Sequence, residues 1–173
     1  MKAVLLSIKR EWARKILSSE KTIEIRKTKP KLTPPFRVFM YETKADGGKG
    51  AVIGSFVCDW IRRLDYDSVG GGYWEGGHFH YFDSFDGCGQ ILQKSRLSRY
   101  ELTFYTKGKM PYGWHVTKAQ ASPRIDLDVF SRPCPVETAD CGFFRLYDRK
   151  NQTCTNPPIK RPPQSWCYVE VIE

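Results

Sequence analysis

At 173 residues the chain has room for one domain of ordinary size. Its 40% hydrophobic and 27% charged residues match average globular usage, which argues against disorder and collagen-like structure. No stretch approaches the ~20 consecutive apolar residues of a membrane span. The opening apolar run, Ala3 to Ile8, is too short for a signal-peptide core. The reading is a single soluble domain, residues 1–173, in the cytoplasm. The formal charge is +9, and it is unevenly placed: residues 1–50 hold 13 basic and 5 acidic side chains, the remainder 15 and 14. A surplus concentrated in the first third suits a polyanion-binding face, because neutralising phosphates releases counterions. A basic solvated surface is the alternative.

Residues 2–8 predict a buried strand, with Val4, Leu5, Leu6 and Ile8 apolar. A short helix follows from about Lys9 to Ser18, with Trp12, Ala13, Ile16 and Leu17 on one face. Residues 21–27 alternate: Thr22, Glu24 and Arg26 point one way, Ile23 and Ile25 point into the core. Pro30, Pro34 and Pro35 mark a loop. Strands are expected over Phe36–Thr43 and Ala51–Leu64, joined by a turn at 45–50 that is rich in glycine. From Tyr66 to Gln90 glycines interleave with aromatics, which reads as a long loop or irregular excursion. Ser98 and Glu101 form a capping box for a helix ending near Gly108. Strands near 112–119 and 123–130 follow, then a Pro/Cys-rich segment at 132–163 and a last strand over Ser165–Ile172. Six or so strands with two short helices predict an α+β fold, a small mixed β-barrel with helices packed against it.

The most informative segment is Lys21-Thr22-Ile23-Glu24-Ile25-Arg26. Lys21 and Arg26 are suited to a phosphate or carbonyl oxygen, and Glu24 to an exocyclic amine. The competing reading is an exposed strand face carrying an ion pair. An apolar strand ending in Ser7-Ile8, a helix with Trp12-Ala13 near its start and Ile16-Leu17 at its end, and the Lys21–Arg26 run together resemble the ASCH domain (activating signal cointegrator homology) of the PUA-like superfamily. Gly113-Trp114-His115 and the run from Arg161 to Val169 look like the bacterial and phage-borne branch. The resemblance implies a PUA-like barrel whose basic cleft binds RNA or a nucleotide-like ligand through Ser7, Lys9, Lys21, Glu24 and Arg26, and Thr22, on the same strand face, is a further ligand-binding candidate. Two positions depart from the pattern: Arg10 stands where Pro is frequent, and Ser19 where Gly is, which removes an easy left-handed helix stop.

Some small members resemble amidohydrolases with a Lys-Thr-x-Thr-x-Arg motif, but here the nucleophile's position is Glu24. A carboxylate cannot repeat hydroxyl acyl transfer, although it can activate water. A hydrolase acting on a modified nucleoside or on RNA is therefore the second reading, with Lys21, Glu24 and His115 as catalytic candidates. A phage accessory protein that binds an acidic partner is the third. Tyr73 and Trp74, flanked by glycines, are lid candidates for a flat ligand unless they pack back onto the barrel. Cys134, Cys141, Cys154 and Cys167 are separated by six, twelve and twelve residues, and four thiolates make a closed structural zinc site. The alternative is that they are small buried apolar residues.

Overall fold

The computed structural model describes residues 2–65, 72–75, 78–81, 87–107, 109–133, 147–148, 153–154 and 158–170. The chain divides into two compact units with interleaved segments: residues 1–10, 38–55 and 121–173 form the first, and 11–37 and 56–120 the second. Two five-stranded sheets with short helices make this an α+β fold, the class the sequence predicts. No helix among the described residues is long and apolar enough to cross a membrane.

In the first unit, β1 (Lys2–Ile8) lies between β12 (Trp166–Glu170) and β3 (Phe36–Glu42). It runs antiparallel to β12, with Leu5 opposite Cys167, and parallel to β3, with Val4 opposite Val38. A central strand with a parallel neighbour has both faces covered, and Ala3 to Ile8 are accordingly all buried. β4 (Ala51–Cys58) and β9 (Thr117–Ile125) extend the sheet beyond β3. Ala3, Leu5, Phe39, Tyr41, Val52, Phe130, Ile159 and Val169 form the core of this unit, with Phe39 and Phe130 edge to face at 5.0 Å. The connection from β3 to β4 contains a one-turn 3-10 helix, Ala45–Gly47. Its exit demands glycine at 48, where a Cβ would lie 1.9 Å from the Thr43 carbonyl oxygen.

The second unit carries an antiparallel sheet in the order β2 (Ile23–Arg26), β8 (Tyr112–His115), β5 (Ile61–Asp65), β6 (Gly72–Glu75), β7 (His78–Tyr81). Two helices, α2 (Gly87–Ser95) and α3 (Arg99–Thr106), cover one face. Ile23, Ile25 and Leu64 meet Ile91 of α2 and Leu102 of α3 there, each buried side chain contributing about 1.5–3 kcal/mol. Gly113 lets the sheet and this core approach closely, since a Cβ there would be 2.8 Å from Leu64 Cδ1. The capping box forms as the sequence predicts: the Glu101 N–H donates to Ser98 Oγ at 3.2 Å, and the Ser98 N–H donates to Glu101 Oε2 at 2.8 Å.

Four expectations are corrected. The run from Ala51 to Leu64 is two strands, β4 and β5, interrupted at Asp59 and Trp60. The stretch 66–90 contains the β6–β7 ladder and the start of α2, a helix the sequence reading missed. The strand placed at 123–130 ends at Ile125, and a one-turn 3-10 helix follows at Leu127–Val129. Twelve strands, including the short antiparallel pair β10 (Tyr147–Asp148) and β11 (Thr153–Cys154), and three α-helices are found among the described residues, against six or so strands and two helices expected.

Candidate functional site

The helix α1 (Arg10–Leu17) leads into the site. Ala13 and Ile16 are its buried positions, and Glu11 pairs with Lys15 across one turn at 2.6 Å, the favourable order for such a pair. The helix stops at Ser19, whose φ of 62° is the left-handed conformation that glycine adopts freely. The reversal is held by Ser18 and Ser19 N–H groups donating to the Arg14 and Ile16 carbonyls, at 2.8 and 3.0 Å, and by Lys21 N–H donating to Lys15 O at 2.9 Å. This delivers Lys21 to the start of β2 in a fixed direction.

On β2, Ile23 and Ile25 turn to the helix-covered face, as the alternation predicts. Glu24 lies opposite Trp114 on β8 and shares the other face with it. That face is not the exposed one of the competing reading: Glu24 and Arg26 are both buried, and Lys21 is 2% exposed. Arg26 Nη2 lies 2.8 Å from Glu24 Oε1, and Lys21 Nζ lies 3.4 Å from Glu24 Oε2. Lys21 also donates to the Ser95 carbonyl at 2.5 Å, in the last turn of α2, where a cation meets the negative end of the helix dipole. Its Nζ stands 5.1 Å from the centre of the Trp12 ring. Arg26 donates to the Tyr105 phenol, closing the group on the α3 side. Burial lowers the Lys21 ammonium pKa below its usual value, an effect that outweighs the attraction of Glu24. Burial likewise raises the Tyr105 phenol. Two cations thus share one carboxylate in a desolvated setting.

Thr22 is half-buried and pinned through its backbone, its N–H to Lys94 O and its carbonyl to the Val116 N–H, both at 2.9 Å. Ser7 and Lys9 belong to the first unit. There Ser7 Oγ donates to the Pro163 carbonyl at 2.6 Å, and Lys9 Nζ lies 3.9 Å from Asp46 on the surface. His115 lies opposite Ile23, on the sheet face away from Glu24. Its Nδ1 is 2.6 Å from Asp59 Oδ1 and its ring stacks on Trp60 at 4.8 Å, with the Arg62 guanidinium also over that indole. Asp59, Trp60 and Arg62 were missed in the sequence. The signal that could have revealed them is the Asp-Trp pair interrupting the β-branched run. Tyr73 and Trp74 stand on β6, paired with His80 and Phe79 of β7, in a strand rather than a loop; their side chains lie outside the described residues. Cys134 and Cys141, and the side chain of Cys154, also lie outside them. Cys167 packs beside the first core, where burial pushes its thiol up.

A mixed sheet in one unit, and in the other an antiparallel sheet with helices on one face and a charged strand buried at its edge, define a class of small α+β domains. No protein-family profile and no curated protein matches the sequence. Solved structures do match. The ASCH protein of Zymomonas mobilis superposes with a TM-score of 0.61 at 19% identity, over 97% of this chain and 87% of that one. Two single-substitution variants of the same protein give TM-scores of 0.61 at 18% and 19% identity, over 97–98% of this chain and 88–91% of theirs. The chain has the ASCH-domain fold.

Proposed function

We propose that this chain binds RNA, or a nucleotide within it, through Lys21 just before β2 and Glu24 and Arg26 on it. The observation that carries the reading is the charge of the site: two buried cations share one carboxylate, so an anionic oxygen completes the balance. Glu24 holds both cations in place and offers its remaining lone pairs to an exocyclic amine. Immediately after β2, Lys27, Lys29 and Lys31 are exposed, a basic approach for a phosphate backbone. Lys27 and Lys29 also lie over the rings of Tyr105 and Tyr112, at 4.9 and 5.8 Å. The ASCH fold supports the reading at the level of a nucleic-acid-binding domain family.

The test is fluorescence anisotropy of short labelled single-stranded RNA over a range of salt. The logarithm of affinity is expected to fall with log salt by about 0.7 per phosphate neutralised. The triple variant Lys21→Met/Glu24→Leu/Arg26→Met, folded by circular dichroism, is expected to lose the binding. Absence of binding at low salt, or affinity unchanged in the triple variant, overturns the proposal. RNA shortened in the same samples, and left intact by Glu24→Gln, would instead make the chain a hydrolase.

A further inference from the structure

The helix α3 divides its aromatic residues in two directions. Tyr105 packs against the Ile23–Leu64 core, while Tyr100 and Phe104 stand one helical turn apart on the opposite side, 77% and 74% exposed. Their rings are nearly parallel, 18° between planes, with centroids 6.2 Å apart. Stacking of this kind within a helix is worth only about 0.2–0.5 kcal/mol. The remaining solvent-facing positions of the helix, Arg99, Glu101 and Thr103, are polar in the ordinary way.

The segment that carries the pair is strongly basic. Residues 94–109 contain Lys94, Arg96, Arg99, Lys107 and Lys109, all exposed, against the single acid Glu101. Glu101 is itself engaged in the Ser98 capping box, whose hydrogen bonds hold its carboxyl below the usual carboxylate range. The rest of the chain beyond residue 50 holds 10 basic and 13 acidic side chains, so this is a second concentration of positive charge.

We infer that Tyr100 and Phe104 form a stacking platform for unpaired bases of a single-stranded nucleic acid, with the flanking lysines and arginines tracking its phosphates. The inference rests on the chain's being a nucleic-acid binder and adds a contact surface distinct from the buried strand. Flat aromatic faces bordered by cations are what sequence-tolerant binding of single strands uses. A protein partner fits the patch less well, because a stable interface covers roughly 800 Å² on each side. Two aromatic side chains supply at most about 150–250 Å² each. Among the described residues of this unit, Met110 is the other exposed large apolar side chain.

The test compares the wild type, Tyr100→Ser/Phe104→Ser and the conservative Tyr100→Phe/Phe104→Tyr. Each is titrated with labelled oligouridine, inorganic polyphosphate and polyglutamate. The Ser variant is expected to bind oligouridine about tenfold more weakly, with polyphosphate binding unchanged and the conservative variant at wild-type affinity. Ultraviolet crosslinking of oligouridine to the peptide containing Tyr100 and Phe104 is expected in the wild type. Equal oligouridine affinity in wild type and Ser variant overturns this inference and leaves the buried-strand reading standing. Wild type that binds no oligouridine overturns both. Weakened polyglutamate binding with oligouridine unaffected would assign the face to an acidic protein and overturn the inference.

Discussion

Within one compact unit, two regions invert the usual placement of residue types. Around β2, a lysine, a glutamate and an arginine lie buried; on α3, a tyrosine and a phenylalanine lie in water. Each departs from the burial order that drives folding, since desolvating an ion costs several kcal/mol and an exposed aromatic forgoes the gain of burial. The two differ in how the departure is offset. Both buried cations pair with Glu24, and Lys21 also donates to a carbonyl at the end of α2, so part of their role is architectural. The aromatic pair joins no core, so folding offers much less reason for it. A buried charge needs a partner to exist at all, whereas an exposed aromatic points outward to one.

The largest effect is expected from breaking the buried group unevenly. Glu24→Ala strands two cations and should lower stability by about 3–5 kcal/mol in urea unfolding. Replacing all three by Met, Leu and Met should restore stability to near the wild type, because apolar side chains of similar size need no compensation. A neutral Glu24→Ala would mean the charges are not desolvated together.

Cys58 sharpens the contrast, as a buried ionisable group kept neutral rather than paired. Its Sγ donates to the Trp60 carbonyl at 3.3 Å, and burial pushes the thiol from 9.0 up to about 12. Below pH 9 both folded and unfolded chains hold the proton, and the stabilisation is complete. Between pH 9 and about 12 the unfolded thiol ionises first, so stability falls as pH rises through that window. Urea midpoints across it should drop more steeply in the wild type than in Cys58→Ala.

Smaller effects bear on how the two regions are held in place. Ser98→Ala removes the helix cap beneath the aromatic pair and should cost about 1 kcal/mol in thermal unfolding. Ser19→Gly relieves the left-handed residue before Lys21 and should raise stability by up to about 1 kcal/mol. The smallest change belongs to Tyr100→Ser/Phe104→Ser, within about 0.5 kcal/mol of the wild type per substitution. A large loss there would place the pair in the fold rather than at a surface.

The first 43 residues were legible because their signals are local. Apolar runs, helical spacing and a two-residue alternation each act over a few residues and give β1, α1, β2 and β3 close to their observed bounds. The Ser98 capping box was legible for the same reason. Residues 51–64 misled because β-branched residues continue on both sides of Asp59-Trp60, and the break follows from pairing: β5 joins β8, while β4 stays with β3. The helix α2 was hidden by Gly87 and Gly89 and by a single apolar pair, Ile91-Leu92; packing against Ile23 and Ile25 sustains it.

By itself, the sequence determined the α+β class, the ASCH-like opening and which side chains of β2 share a face, since backbone periodicity decides direction without reference to neighbours. Only the tertiary structure decided what covers that face. Lys21, Glu24 and Arg26 became a buried group through Ser95, Trp12 and Tyr105, which come from distant segments. Burial is a property of what arrives from elsewhere in the chain, and for the same reason the exposure of Tyr100 and Phe104 could not be read from α3 alone.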